Sequence, residues 1–317
     1  MSFALKPEKS LRKEMRRIAR KEMEYALAQV TKTANGSRDA AVHEARKCCK
    51  KLRALLRLVR PAISAQTYQD ENTAFRNAAR PLTEVRDARV LVETLDKLGQ
   101  HFAKRVHGQP FAPIRKELMA FQREVRTRVL DKEHAFATVE TAVREALMRL
   151  DDWTTVPDRW SSAGHGVQQV YRQARRAFAK ASTEPTVEYL HEWRKQVKYL
   201  RYQLTILQPL WPEMMEPFVE QADHLGELLG KDHDLAVLHR MVTTDPQRFG
   251  GEEARELLFA LIAHRRKELE AEATLLGQRL FQDSPAVFAR RLKGYWTTWR
   301  HLGQQKETPG AQVEMIQ

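Results

Sequence analysis

The sequence predicts an all-α protein built as two helical-bundle halves, about four main helices each. Three observations support this. The 317 residues carry only 13 Gly and 13 Pro, clustered as punctuation. The segments between them are rich in Ala, Leu, Glu, Lys, Arg and Gln, all strong helix formers, and show no alternation of strand period. One eleven-residue pattern, H-E-x-R-K-x-x-K-x-L-R, occurs twice, from His43 and again from His191.

The elements follow in order. A first helix spans about Glu8 to Val30, and TANGSRD reads as the turn after it. A second helix spans Asp39 to Arg60 and is stopped by Pro61. A segment from Ser64 to Ala79 leads to Pro81, and a further helix continues to about Leu98. Pro110 and Pro113 open helical stretches reaching about Leu150. The stretch from Asp151 to Gly166 combines proline, glycine and small polar residues without a period, so it marks the boundary between halves. That gives a first half over 1–152, a linker over 153–166 and a second half over 167–303. In the second half, helices are expected over Val167–Ala181 and Thr186–Gln208, the latter stopped by Pro209. PFVEQADHLGELL and KDHDLAVLHRM follow, then helices over Glu252–Gln282 and from Pro285 to about His301. Residues 304–317 read as a disordered tail.

The repeat extends beyond the motif. Pro61 follows His43 by 18 residues, and Pro209 follows His191 by 18. Downstream, LTEVRDARVLV and LLGKDHDLAVL align Arg86 with Lys231 and Asp87 with Asp232. Such duplicated helical halves are expected to pack about a pseudo-twofold axis, with a basic cleft between them.

On the second helix, His43, Arg46, Lys50, Arg53, Arg57 and Arg60 are spaced 3, 4, 3, 4, 3, a single helical face. The line is roughly 25 Å long at 1.5 Å per residue. Val42, Ala45, Cys49, Leu52, Leu56 and Val59 cover the adjacent apolar face. The second copy repeats His191, Arg194, Lys198 and Arg201 beside Leu190, Val197, Leu200 and Leu204. Surface charge runs are usually balanced by acids one turn away, and this stripe lacks them. Like charges at i,i+4 cost about 0.2–0.5 kcal/mol a pair, so the row costs on the order of 1–2 kcal/mol without a ligand. A line of cations written twice points to a long, densely negative ligand. The net charge of +13, from 54 Lys and Arg against 41 Asp and Glu, agrees with an anionic partner.

Arg16 and Arg20 on the first helix, and Arg172 and Arg175 on its counterpart, are further candidates for that ligand. Arg76, Arg80, Arg123, Arg126, Arg176 and the His264-Arg265-Arg266 run could join the same face, although each by itself reads more readily as a surface charge. Asp87 and Asp232 read as groups that orient basic neighbours.

Several chemistries lack their residues. HExxH fails because Lys47 and Lys195 stand where a second histidine would ligate zinc. His233, Asp234 and His239 lack ligand spacing, and no P-loop, G-x-G-x-x-G or G-x-S-x-G occurs, so no metal or cofactor is expected. The only cysteines, Cys48 and Cys49, are adjacent and read as reduced residues of a cytosolic protein. No signal peptide or run of about 18 apolar residues is seen, and no membrane partner is expected.

The doubled motif, the Arg-Asp and Lys-Asp elements about 40 residues later and the helical punctuation resemble the CHAD family, the conserved-histidine α-helical domain. The resemblance spans about residues 5 to 300. It implies two four-helix halves with a basic channel, binding of inorganic polyphosphate without catalysis, and association with polyphosphate granules. The implied contacts are His43, Arg46, Lys50 and Arg53 with His191, Arg194, Lys198 and Arg201; Arg57 extends the first row. One departure stands out: where the family tends to Arg-Asp-x-Asp, the first half has Arg86-Asp87-Ala88-Arg89. Histidines beside a polyanion would favour the charged form, so tighter binding is expected as pH falls toward 6. Nucleic-acid binding is the leading alternative. It is disfavoured because the first stripe has no interleaved aromatics and almost no base-reading Asn or Gln. An enzyme acting on phosphate anhydrides is the other, lacking visible acidic metal ligands. The oligomeric state is left open.

Overall fold

The computed structural model describes residues 3–7, 9–31, 37–150 and 156–306. Among the described residues it is all-helical: α1 (Leu11–Thr31), α2 (Arg38–Val59), α3 (Ala65–His101), α4 (Ala112–Arg126), α5 (Ala135–Arg149), α6 (Ser161–Thr183), α7 (Val187–Leu207), α8 (Pro212–Thr244), α9 (Glu252–Leu280) and α10 (Pro285–Lys306). None is long and apolar enough to cross a membrane.

Local chemistry sets most boundaries. Ser37, Ser64 and Thr186 cap α2, α3 and α7, each side-chain oxygen accepting a backbone N–H three residues on. Both motif helices end in a three-residue 3-10 turn with proline second, Arg60–Ala62 after α2 and Gln208–Leu210 after α7. Most of the TANGSRD turn lies outside the described residues.

The helices depart from the predicted boundaries in several places. Pro81 does not break the chain: α3 runs through it for 37 residues. The missing N–H costs about 3 kcal/mol in a free helix. Here Phe75, Ala78, Leu82 and Val85 bury the face on both sides of it. Pro217 is likewise carried inside α8, which joins two segments that read as separate. Between α4 and α5 the backbone widens into a π-helical turn over Thr127–Lys132, and His134 turns left-handed at φ 50°. The predicted tail begins as helix, since α10 continues to Lys306; residues 307–317 lie outside the described part.

The predicted linker departs as well. Residues 153–155 lie outside the described part, but α6 begins at Ser161, inside the stretch read as irregular. Ser162, Ala163, Gly164 and Gly166 are buried there. Gly166 is a crossing point, not a hinge: a Cβ on it would stand 2.0 Å from the carbonyl oxygen of Leu58 on α2. The small residues that suggested a linker let α6 lie directly on α2.

Helix α2 is surrounded. It packs on α1, α3, α6 and α7, and its buried residues occupy far more than the single predicted apolar face. Helix α7 packs on α2, α6 and α8, and α3 meets α8. One continuous apolar cluster runs through both halves, from Leu11 and Met15 on α1 to Leu292 and Trp296 on α10. Trp193 on α7 is wedged under α9, where a Cβ on Gly277 would stand 2.7 Å from its ring.

Gly166→Ala tests the crossing. Its neighbour is backbone, which cannot rotate away, so the helices must separate at a cost of about 1–3 kcal/mol. Chemical denaturation should report that loss, whereas Gly99→Ala, with open space around its Cβ, should be neutral or stabilising.

Candidate functional site

The four helices α2, α3, α7 and α8 bring the two cation stripes together. Arg46 and Lys50 on α2 face Arg194 and Lys198 on α7. The charge of Lys50 is opposed by burial first, then by Arg46, Arg194 and Arg86. That of Lys198 is opposed by burial, then by Arg194, Lys50 and Arg86. Burial with this mutual repulsion takes Lys50 down to about 7, Arg46 down to about 10, and Lys198 well below the ordinary lysine range. Arg194 is lowered by burial, against the pull of Asp234, Asp87 and Asp232.

No carboxylate lies within 4 Å of Arg46, Lys50, Arg53, Arg57, Arg194 or Lys198 among the described residues. Arg46 is only 8% exposed. Its Nε, and those of Arg194 and Arg201, are buried without a hydrogen-bond partner. Such donors are costly to leave unmet. Gly230 on α8 makes room for Arg194, whose guanidinium lies 3.6 Å from where a Cβ would be.

Two grooves lead away from this centre. One, of about 770 Å³ between α2 and α3, is lined by Arg46, Lys50 and Arg53, with Arg76 and Arg80 opposite. The other, of about 420 Å³ between α7 and α8, is lined by Arg194, Lys198 and Arg201 with Arg86 and Lys231. Arg76 and Arg80, which read as surface charges, therefore belong to the basic face. A three- or four-residue spacing on α3 could not reveal which side of that helix meets α2.

The other predicted residues divide. Arg53 Nε and Arg57 Nη1 both donate to Asn72 Oδ1, at 3.1 and 3.0 Å, and Arg57 lies 3.9 Å over the Tyr199 ring. They are braced but keep free donors. Arg201 is held by Asp223 at 2.8 Å. Arg175 is placed elsewhere: its Nε donates to the Phe281 carbonyl at the end of α9, so it supports packing. Arg16 and Arg20 lie on α1, half-buried and exposed, and Arg172 is exposed on α6; none of the three lines either groove.

The acids nearby are engaged. Arg86 bridges α3 to α8, donating to Asp87 at 3.0 Å and to both oxygens of Asp234 at 3.2 and 3.3 Å. Burial works against its charge, but these carboxylates outweigh it and hold it above the ordinary value. Asp232 is buried and receives Arg266 Nε at 2.7 Å. Both aspartates thus orient cations, as expected, although the partner of Asp232 comes from α9.

The histidines sit at the rim. His43 is exposed, 3.7 Å from Glu44. His191 Nδ1 lies 3.3 Å from His233 Nδ1, so one ring donates and the other accepts. Burial, reinforced by nearby arginines and lysines, lowers both motif histidines and takes His233 to about 4. Without ligand they are neutral at pH 7, and a proton response near pH 7 comes from Lys50 instead.

Comparison with known proteins identifies the family and the fold. A family model described as the CHAD domain matches residues 10–243. The chain belongs to the CHAD domain family. Its fold is similar to a solved structure, the crystal structure of the CHAD domain from the plant Ricinus communis, with a TM-score of 0.62 and 19% identity over 86% of this chain and 94% of that one. No curated protein matches the chain. The family match spans α2, α3 and α7 and nearly all of α8.

A ligand-free stability measurement tests the buried repulsion. The unfolded chain keeps Lys50 protonated up to about 10.5, while the fold releases that proton from about 7. Stability attributable to this group therefore rises with pH across that interval. Lys50→Met should raise the Tm at pH 7 by at least about 2 °C. The gain should shrink as pH rises to 9, as read by calorimetry.

Proposed function

We propose that this protein binds inorganic polyphosphate without chemical conversion, along a basic channel running from the α2–α3 groove across Lys50 and Lys198 into the α7–α8 groove. The observation that carries the reading is the facing of buried, acid-free cations from two copies of one motif. Membership of a family associated with polyphosphate binding supports it. A chain with about one negative charge per phosphate meets a cation at each step. Arginine supplies forked donors to neighbouring oxygens and lysine a mobile point charge. The two halves act as approximately twofold-related walls, and association with polyphosphate granules in the cytoplasm follows from the same affinity.

Nucleic acid fits this channel poorly. Stacking needs open aromatic faces. Tyr199 is covered by Arg57, and Tyr202 is buried edge-on against Phe3. Phosphate-anhydride hydrolysis would need convergent acids for a divalent metal. The carboxylates lining the two grooves are Glu84, Asp87 and Glu133 in one and Asp223, Glu227 and Asp234 in the other; all but Glu227 are held by an arginine.

Titration calorimetry with polyphosphates of graded length tests the reading. Arg46→Ala or Lys198→Ala should weaken binding by ~10- to 100-fold, the loss of a hydrogen bond to a charged group. Double-stranded DNA at equal phosphate concentration should not displace the ligand. Phosphate release in the presence of magnesium would overturn the non-enzymatic reading.

The pH response has a definite sign. A bound anion restores the charge of Lys50, so binding takes up protons and Kd falls as pH drops from 9 to 7. About a tenfold change is expected for one lysine over a pH unit. Equal affinities at pH 7 and 9 would remove Lys50 and Lys198 from the contact.

A further inference from the structure

Arg53 and Arg201 close the two copies of the motif at the same position, yet they are held by different chemistry. Arg201 Nη2 donates to the Asp223 carboxylate of α8 at 2.8 Å. Arg53 Nε donates to the side-chain oxygen of Asn72 on α3 at 3.1 Å, and the same oxygen accepts Arg57 Nη1 at 3.0 Å. Arg57 also donates to the Arg53 carbonyl at 3.1 Å and lies against the Tyr199 ring. The two guanidinium donors fix which end of the Asn72 amide faces them, since its NH2 would meet them donor to donor. In the second copy Thr205 stands in place of Arg57, and its hydroxyl donates to the Arg201 carbonyl instead.

The difference is electrostatic. A carboxylate cancels the charge of the arginine it holds, whereas an amide orders the arginine and cancels nothing. Asn72 does this from the head of a row, because Asn72, Arg76 and Arg80 follow one another at four-residue spacing on α3. An arginine at its place would repel Arg53 and Arg57, and an aspartate would neutralise them. The two arms of the channel are unequal as a result. In the α2–α3 groove, Arg53, Arg76 and Arg80 have no carboxylate within 4 Å among the described residues, and Glu84 and Glu133 there are held by Arg128. In the α7–α8 groove, Arg201 and Arg86 are tied to Asp223 and Asp234.

We propose that Asn72 is a positioning residue that makes the α2–α3 groove the primary seat of the channel, by presenting Arg53 and Arg57 as a fixed and un-neutralised pair. Short phosphate chains settle in that groove, and longer ones continue past Lys50 and Lys198 into the α7–α8 groove. The inference rests on the polyphosphate reading and adds where along the channel the chain is first held. Preordered arginines lose little freedom when phosphate oxygens arrive, which favours this seat further.

Calorimetry with inorganic tripolyphosphate and with a long-chain polyphosphate, both free of divalent metal, tests the seat. Asn72→Asp keeps the shape and both hydrogen bonds and adds one negative charge. It should weaken tripolyphosphate at least about tenfold, the effect of an opposing charge a few ångströms away, while the Tm holds or rises. A purely structural brace predicts the reverse, an affinity kept along with the fold. Arg53→Ala should weaken tripolyphosphate at least about tenfold more than Arg201→Ala does, which tests the same asymmetry with α3 untouched. Tripolyphosphate affinity kept in Asn72→Asp, or lost equally in Arg53→Ala and Arg201→Ala, would overturn the proposal. So would binding of the long chain without binding of tripolyphosphate. In each of those cases the long chain still binds and the polyphosphate reading stands. Binding of neither chain by the unaltered protein would remove that reading and this inference together.

Discussion

The constraint on which this structure turns is the burial of like charges. Arg46, Lys50, Arg194 and Lys198 are drawn out of water and toward one another, with no acid within 4 Å among the described residues. Desolvation and repulsion act in the same direction, and both weaken the charged forms. A fold selected for stability alone would place carboxylates here or apolar side chains. Retaining bare cations makes sense where a polyanion completes the arrangement. The unmet Nε donors of Arg46 and Arg194 are the local mark of that missing partner.

The rest of the molecule makes this burden tolerable. Helices α2 and α7 are packed by other helices, and their apolar residues join one core that runs through both halves. Gly166 and Gly277 remove the Cβ atoms that would hold α6 off α2 and lift α9 from Trp193. Pro81 and Pro217 sit inside long helices because the buried faces around them outweigh one lost hydrogen bond each. Acids that must be buried are paired, as Glu71 is with Arg149 and Glu22 with Lys51.

Arg86 links the channel to its surroundings. It holds Asp87 and Asp234, whose pull on Lys50 and Lys198 is outweighed by burial and by the neighbouring cations, and it fastens α3 to α8. It also lines both the α7–α8 groove and the neighbouring cleft between α3, α8 and α9. A change in that bridge would reach both cavities at once.

The sequence by itself determined the helical class, the two motif helices and the cation stripe from His43 to Arg57. These are written in three- and four-residue spacings, and a helix translates such spacing directly into a face. Only the tertiary structure decided what that face meets. The opposition of Lys50 to Lys198, the place of Arg76 and Arg80 on the groove, the His191–His233 pair and the withdrawal of Arg175 to the end of α9 all depend on how helices cross. So does the reading of Gly164 and Gly166, which resemble a linker until α6 is laid on α2. The pH window moved for the same reason. A histidine's reference value is a property of the residue, but the proton affinity of Lys50 is set by exclusion of water and by charges brought from α3 and α7. Periodicity along one chain carries no record of either.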